Sequence, residues 1–206
     1  MKLNKVCLKN FRRLENVEID FEAKETLFVG PNNSGKTSAT AAFKLFLKTR
    51  DFKIHDFSSS RIIEIDKFGN GQGVDFPKIK MDMLFTIDPD TEYGRAITLI
   101  PQLETLISEV GIRLELAAFD QERLIHEYQS SFPKNKNDER KKSLSEFLAI
   151  SNNMSRYLKL IYFVLEKTDQ EYILHHLEEG EAKKTLSSIL RVDFVEAQRN
   201  IDDQEL

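Results

Sequence analysis

Residues 30–37 read Gly-Pro-Asn-Asn-Ser-Gly-Lys-Thr, a spacing of glycine, lysine and threonine that is suited to holding phosphate groups. This is a complete G-x-x-x-x-G-K-[ST] pattern, in which backbone N–H groups surround the phosphates of a nucleotide. Gly30 and Gly35 allow that backbone conformation. Lys36 is predicted to place its ammonium between the β- and γ-phosphates, as a catalytic residue, and the Thr37 hydroxyl is predicted to ligate Mg²⁺. The pattern therefore predicts binding of ATP with Mg²⁺.

The elements on either side of the loop are those needed to position it. The apolar, β-branched run Glu25–Val29 predicts a strand, and residues 38–47 place apolar side chains at helical spacing. A helix that starts at the loop adds the partial positive charge of its N-terminus to the anion site. The predicted nucleotide-binding residues of the loop and first helical turn are Gly30, Asn32, Asn33, Ser34, Gly35, Lys36, Thr37 and Ser38.

The N-terminal sequence resembles that of a known group of ATPases. Residues 2–21 predict two strands joined by a polar turn, and they contain the run Lys-Asn-Phe-Arg at 9–12 and an alternating strand at 17–21. Followed by the phosphate-binding loop, this order resembles the N-terminal end of RecF/SMC-type ABC ATPases. Within that group it is most similar to the OLD (overcoming lysogenization defect) family, which residues 53–58 also resemble.

The resemblance implies a fold, a domain organisation and a set of partners. The implied fold class is α/β, a P-loop NTPase with an ABC/SMC-like head lobe of mixed and antiparallel β-sheet plus helices. Residues 1–206 would form the N-terminal part of an ABC-type ATPase domain: a phosphate-loop core at 1–58, an accessory β/helical section at 59–190, and a Q-loop-like strand and tail at 191–206. Implied partners are a second ATPase head and an effector such as a nuclease, with DNA contacted through the wider assembly.

Further site residues follow only from the resemblance. Asn32 matches an Asn expected near the γ-phosphate, and Arg12 or Arg13 matches a basic position close to the nucleotide; the alternative for the arginines is a solvated turn. Gln198 follows a strand-like run and matches the Q-loop Gln, which approaches Mg²⁺ and the attacking water. The alternatives are an exposed polar residue at a strand end, or a functional role for the neighbouring Arg199.

Several segments of a complete ABC-type head are absent from the sequence. It contains no Leu-Ser-Gly-Gly-type signature and no apolar strand ending in Asp-Glu. Three apolar runs end at Asp66, Asp88 and Asp120, and each could imitate a Mg²⁺-coordinating strand, although an Asp there is more simply a turn former. We therefore expect weak nucleotide binding and little hydrolysis by this chain alone, because phosphoryl transfer depends on charge stabilisation by those missing groups.

Composition limits the cellular location and the partners that we expect for the protein. The chain has 206 residues, a formal net charge of −4 and one Cys, which excludes an intrachain disulfide framework. It has no apolar run of bilayer-spanning length and no signal-peptide pattern, so the cytoplasm is expected and a membrane partner is not. The negative charge argues against a generally basic nucleic-acid surface.

The accessory section predicts alternating strands and helices. Period-two apolar positions predict strands at 78–87 and 112–117 and a hairpin at 157–166 and 171–174, and helical spacing predicts helices at 101–110, 120–130 and 143–152. Three functions remain open: an ATPase that drives a DNA-directed effector, a nucleotide-sensing regulatory module with little turnover, and a self-contained small P-loop NTPase. The first is preferred because of the resemblance.

Overall fold

A six-stranded antiparallel sheet forms the centre of the protein. The computed structural model describes residues 1–31, 34–101, 107–168 and 171–195. The spatial order of the strands is β2-β1-β3-β4-β5-β6, and every pair is antiparallel. The strands are β1 Lys2–Phe11, β2 Leu14–Asp20, β3 Ile79–Thr86, β4 Glu109–Ala118, β5 Leu158–Lys167 and β6 Tyr172–Leu177.

Alternation of side chains places one face of the sheet against the hydrophobic core. Register pairs Val6 with Met83, Met83 with Ile112, and Ile112 with Val164, so a single buried row crosses four strands. Because successive side chains in a strand point to opposite faces, the residues between them lie on the other side of the sheet. The core-facing side of the sheet packs against the apolar sides of the helices, and together they form one hydrophobic cluster.

The helices lie mostly in the connections between strands. They are α1 Lys36–Lys44, α2 Ser59–Gly69, α3 Tyr93–Ala96, α4 Gln121–Ser131, α5 Leu144–Ala149, α6 Asn153–Tyr157 and α7 Glu179–Ile189, with a π-helical turn at Leu45–Thr49 and 3-10 turns at Ile54–Asp56 and Ile97–Leu99. No helix in the described ranges is long and apolar enough to cross a bilayer.

Charged side chains pair on the opposite face of the sheet. Arg113 of β4 donates two hydrogen bonds to the Asp82 carboxylate of β3, from Nε at 2.6 Å and from a terminal nitrogen at 2.8 Å. Lys78 donates to the buried Glu115 at 2.9 Å. The hydrogen bond with Asp82 raises the pKa of Arg113 above its ordinary value. These charge-assisted hydrogen bonds supply donors to carboxylates that are buried on this face of the sheet.

A substitution at Gly111 in β4 can test how tightly the face of the sheet that carries Arg113 and Glu115 is packed. A Cβ at this position would lie 2.8 Å from Leu84 Cδ2 and 2.9 Å from Leu165 Cβ. We expect Gly111→Ala to lower the free energy of unfolding by about 1–3 kcal/mol through overpacking. Gly180→Ala is the control, since a Cβ there meets nothing within 4 Å. Urea unfolding should separate the two variants, and equal stability would contradict the tight packing.

Most sequence-predicted elements are confirmed. The two N-terminal strands, the strands within 78–87 and 112–117, and the hairpin of β5 and β6 are present. The helix after the phosphate-binding loop is α1. Asp120 caps α4 by accepting from the Arg123 N–H at 2.9 Å, and Ser143 and Glu146 form the predicted capping box of α5. The predicted helix at 143–152 is shorter: α5 ends at Ala149, since Ile150 is extended with a ψ of 139°, and Asn152, with a φ of 69°, precedes α6.

Four predictions of secondary structure are wrong in the described residues. Residues 25–29 and 191–195 are not in strands, and Ile62–Asp66 lies in helix α2. In the segment 101–110, Glu109 and Val110 begin β4, whereas residues 102–106 lie outside the described residues. A strand requires backbone partners on another strand, and neither 25–29 nor 191–195 has one among the described strands.

Candidate nucleotide-binding site

Gly35 sets the direction in which the phosphate-binding loop enters helix α1. Its φ is 95° and its ψ is −3°, a left-handed conformation that glycine adopts without steric cost. A Cβ at this position would also lie 2.9 Å from Leu14 Cδ2, at the start of β2. Glycine is therefore required both for the backbone turn and for the close approach to the sheet.

The first part of the loop is equally compact. A Cβ on Gly30 would lie 3.0 Å from Ser34 Oγ, and the Ser34 N–H donates to the Pro31 carbonyl at 3.2 Å. Both contacts are short-range, so the loop closes on itself. Glycine at position 30 thus avoids crowding of the Ser34 hydroxyl.

The Lys36 ammonium lies over the loop rather than in solvent. It donates to the carbonyl oxygens of Gly30 and Pro31, the latter at 2.7 Å, and to Ser34 Oγ at 3.2 Å. All three acceptors are uncharged. Phosphate oxygens would be stronger acceptors for the same cation, because their negative charge adds Coulomb attraction to the hydrogen bond.

The start of α1 completes an anion site. The first intrahelical bond runs from the Ala39 N–H to the Gly35 carbonyl at 2.9 Å, so the N–H groups of residues 36–38 have no acceptor within the helix. The first turn carries no acidic side chain that would compete for these donors. Helix N–H groups and the Lys36 ammonium thus converge on one place that can hold phosphate.

A metal ion at this site would need ligands from the nucleotide. Thr37 is exposed in the first turn of α1, where its hydroxyl could contribute one ligand. Among the described residues, no group of three or more His, Cys, Asp or Glu side chains could hold a metal. A Mg²⁺ bound by Thr37 would therefore be shared with phosphate oxygens and water, which is the usual arrangement for this ion.

Arg12 occupies the turn between β1 and β2 and pairs with Asp56. Its Nε and a terminal nitrogen both lie 2.8 Å from Asp56 Oδ1, and its backbone N–H donates to the Asp56 carbonyl at 2.8 Å. Asp56 is 1% exposed and also accepts from the Lys53 N–H at 2.8 Å. Arg13 is exposed in the same turn. The predicted nucleotide contact of either arginine stays a prediction.

The pair of Arg12 and Asp56 is a feature that sequence reasoning missed. The segment 53–58 stood out only for its resemblance to OLD-type sequences, and 44 positions separate the two partners. An isolated bridge between Phe11 and Phe57 fastens the same two segments. Together these contacts fix the β1–β2 turn, whose Leu14 packs against Gly35 of the loop.

Four residues named in the sequence analysis lie outside the described residues. They are Asn32, Asn33, Gln198 and Arg199. Their predicted contacts with phosphate, Mg²⁺ and the attacking water stay predictions.

The three aspartates that could imitate a Mg²⁺ ligand have other contacts. Asp66 accepts from the Ser145 N–H at 2.8 Å and so ties α2 to α5. Asp88 forms the predicted turn, and a hydrogen bond from the Thr91 hydroxyl lowers its pKa below the ordinary value. Asp120 is the α4 cap described above. Each carboxylate thus has a local structural role.

A glycine-led turn into a helix, with a lysine ammonium over the loop, is the arrangement of a P-loop NTPase. Residues 1–206 match the family described as AAA ATPase domain, and the chain belongs to this family. The family match, the sheet and its helices confirm the predicted fold class at the level of an α/β P-loop NTPase domain. Every described strand pair is antiparallel, so the mixed part of the predicted sheet is not observed, and the ABC/SMC-like type of the lobe stays a prediction. Membership of this family implies nucleotide binding.

Curated relatives resemble only a short part of the chain. The DNA replication and repair protein RecF of Psychromonas ingrahamii is 34% identical over 64 residues, which are 31% of this chain and 17% of that protein. RecF of Lactococcus lactis subsp. cremoris (strain MG1363) is 39% identical over 57 residues, 27% of this chain and 16% of that protein. The matched part is thus a small share of the relatives' length.

A solved structure is similar over more of the chain. It comes from work on ATP-driven dimerization and DNA-stimulated activation of SMC ATPases. The match covers 91% of this chain and 79% of that one, with 14% sequence identity and a TM-score of 0.45.

Proposed function

We propose that this chain is the ATP-binding lobe of an OLD/RecF/SMC-like ATPase that powers or gates a DNA-directed effector. The observation that carries the proposal is the position of the Lys36 ammonium over the loop at the start of α1, with Gly35 in a left-handed conformation. Lys36 would bind the β- and γ-phosphates of ATP, and Thr37 would ligate Mg²⁺. Ser34 and Ser38, with the backbone of the loop, would complete the phosphate contacts.

We further propose that residues 1–206 are the N-terminal part of an ABC-type head. Leu27 and Val29 are 74% and 89% exposed, although their sequence is that of a buried strand. Residues 191–195 are likewise outside any strand and end with an exposed Val195. Exposed apolar side chains beside backbone without strand partners support pairing with further strands of a complete head.

The effector and the DNA are the least direct part of the proposal. Support comes from the resemblance of residues 9–58 to OLD-type sequences and from the RecF relatives, which are named for DNA replication and repair. A nuclease acting in antiphage defence or DNA repair is the effector class that fits. With a net charge of −4, this lobe would contact DNA through the wider assembly.

The proposal predicts that ATP binding and ATP turnover can be separated. We expect the 206-residue chain to bind Mg²⁺-ATP weakly and to hydrolyse it slowly, because Asp66, Asp88 and Asp120 are engaged in folding contacts. Turnover should rise by about 10³-fold or more in the chain joined to its native downstream sequence, the scale on which single charge-stabilising groups act in phosphoryl transfer.

Steady-state hydrolysis assays on both forms, with a Mg²⁺-free reaction as control, would check this separation. Fast hydrolysis by the chain alone would contradict the proposal and favour a self-contained small NTPase. Substituting Asp66, Asp88 and Asp120 singly by Asn would then identify the Mg²⁺ ligand. Binding without turnover in both forms would instead favour a nucleotide-sensing module.

A further inference from the structure

Strand β6 is the terminal strand of the described sheet and contains no Asp, Glu, Lys or Arg. It reads Tyr-Ile-Leu-His-His-Leu, and among the described strands it pairs only with β5. Alternate residues of an edge strand direct their N–H and C=O groups away from the sheet. Residues 172–177 therefore offer a row of backbone donors and acceptors at the edge.

The side chains of β6 do not protect this edge. Ile173 is 47% exposed and Leu174 is 38% exposed, and they lie on opposite faces of the sheet because they are adjacent in a strand. Proteins commonly protect edge strands with charged residues, which oppose pairing with another chain. The composition of β6 is therefore suited to accepting a further strand.

The other edge of the same sheet shows the contrast. Strand β2 has three exposed acidic side chains, Glu15, Glu18 and Asp20, within seven residues. Glu18 and Asp20 both pair with Lys5 of the neighbouring strand, at 2.7 Å and 3.6 Å. The acidic residues of β2 discourage the addition of another strand at that edge. Strand β6 contains no Asp, Glu, Lys or Arg, so the two edges of the sheet differ in this respect.

Acidic residues flank β6 at both ends. Glu171 precedes the strand and is exposed, and Glu178 follows it and lies with its carboxylate 3.7 Å from His176 Nδ1. A strand added along β6 in either direction would place both of its ends beside carboxylates.

This charge pattern disfavours a second copy of the same strand. In an antiparallel pair of two β6 strands with Tyr172 opposite Leu177, Glu171 of one copy would face Glu178 of the other. Like charges directly opposite each other in a sheet are destabilising. The complementary partner has basic residues at both ends and apolar residues in the middle.

We propose that the β6 edge is a docking site for an extended segment of a partner protein, with an apolar centre and Lys or Arg at each end. The segment adds a seventh strand beside Tyr172–Leu177, so backbone hydrogen bonds supply affinity and the flanking carboxylates supply selectivity. Ile173 and Leu174 contact apolar side chains of the segment on the two faces of the sheet. The proposal is independent of nucleotide binding.

Two labelled peptides with the same centre test the selectivity. They are Lys-Lys-Val-Ile-Thr-Val-Ile-Lys-Lys and a counterpart in which Glu replaces all four Lys residues. Binding to the full chain is followed by fluorescence anisotropy. We expect the Lys-ended peptide to bind about tenfold tighter or more at low salt, with the difference shrinking as ionic strength rises. Equal binding of both peptides, or no binding of either at millimolar concentration, would overturn the proposal.

Variants then locate the site. The double variant Ile173→Thr/Leu174→Thr keeps β-propensity and charge, and we expect it to weaken binding of the Lys-ended peptide about tenfold. The control Ile63→Thr/Ile97→Thr makes the same changes at exposed isoleucines outside the sheet and should leave binding unchanged. Similar losses in both double variants would place the peptide elsewhere and overturn the proposal.

Charge-reversal variants and the oligomeric state test whether the β6 edge binds a basic segment of a partner or a second copy of this chain. Glu171→Lys/Glu178→Lys should transfer the preference to the Glu-ended peptide. If circular dichroism shows that this variant does not fold, Glu171→Gln/Glu178→Gln replaces it, and we expect the Gln variant to bind both peptides equally. An unchanged preference would contradict the role of these carboxylates. A dimer seen by sedimentation and lost in Ile173→Thr/Leu174→Thr would show that the edge binds a second copy, which would also overturn the proposal.

Discussion

Lys36→Ala is expected to abolish ATP binding and to leave the fold intact. The ammonium contacts loop oxygens rather than the hydrophobic cluster, so its removal takes away a phosphate partner without opening the core. Loss of a charge-assisted contact to two phosphates predicts binding that is weaker by about 100-fold or more. Calorimetric titration with ATP at fixed Mg²⁺ measures this effect directly.

The control for this experiment removes the same charge from another exposed position. Lys24→Ala lies in the segment before the loop and should bind ATP with unchanged affinity. Circular dichroism of both variants should match that of the parent chain. ATP affinity that survives in Lys36→Ala, or loss of secondary structure in it, would contradict the proposed phosphate contact.

Asp56→Ala is expected to cause a large loss of stability. The Asp56 carboxylate is buried and accepts from the Lys53 N–H and from two nitrogens of Arg12. Removing one partner of a buried ion pair typically costs about 3–5 kcal/mol, because the other charge is left without compensation. Since the Arg12 side chain is partly exposed, we expect a value near the lower end of this range.

Urea unfolding of matched variants checks the role of Asp56. Asp51→Ala removes an Asp that also pairs with a cation, Lys53 at 2.7 Å, but at the surface, where such pairs contribute about 0–1 kcal/mol. Similar stability of the Asp56 and Asp51 variants would refute the prediction. In a double-mutant cycle with Arg12→Ala, a coupling energy near zero would do the same.

The same variants address the resemblance-based role of Arg12. If Arg12 only holds the β1–β2 turn, Arg12→Ala and Asp56→Ala should lower stability together, and each should change ATP affinity to a similar extent. If Arg12 also contacts the nucleotide, Arg12→Ala should weaken ATP binding by about tenfold more than Asp56→Ala, in which the guanidinium is still present.

Sequence reasoning succeeded where the interactions are local. The phosphate-binding loop and α1 follow from spacing along the chain, and so do the Asp120 cap and the Ser143–Glu146 capping box. These features depend on contacts between residues a few positions apart, since helix hydrogen bonds and caps span one turn. The alternation that predicted β3, β4 and the β5–β6 hairpin is local for the same reason.

The sequence alone therefore determined the glycine turn at residue 35, the helix that follows it and the antiparallel pattern of the later strands. Only the tertiary structure decided that residues 25–29 and 191–195 have no strand partner among the described residues, and that Arg12 pairs with Asp56. The physical reason is distance along the chain. A strand or a buried ion pair exists only when a second segment supplies the missing donors and acceptors, and no local pattern specifies that segment.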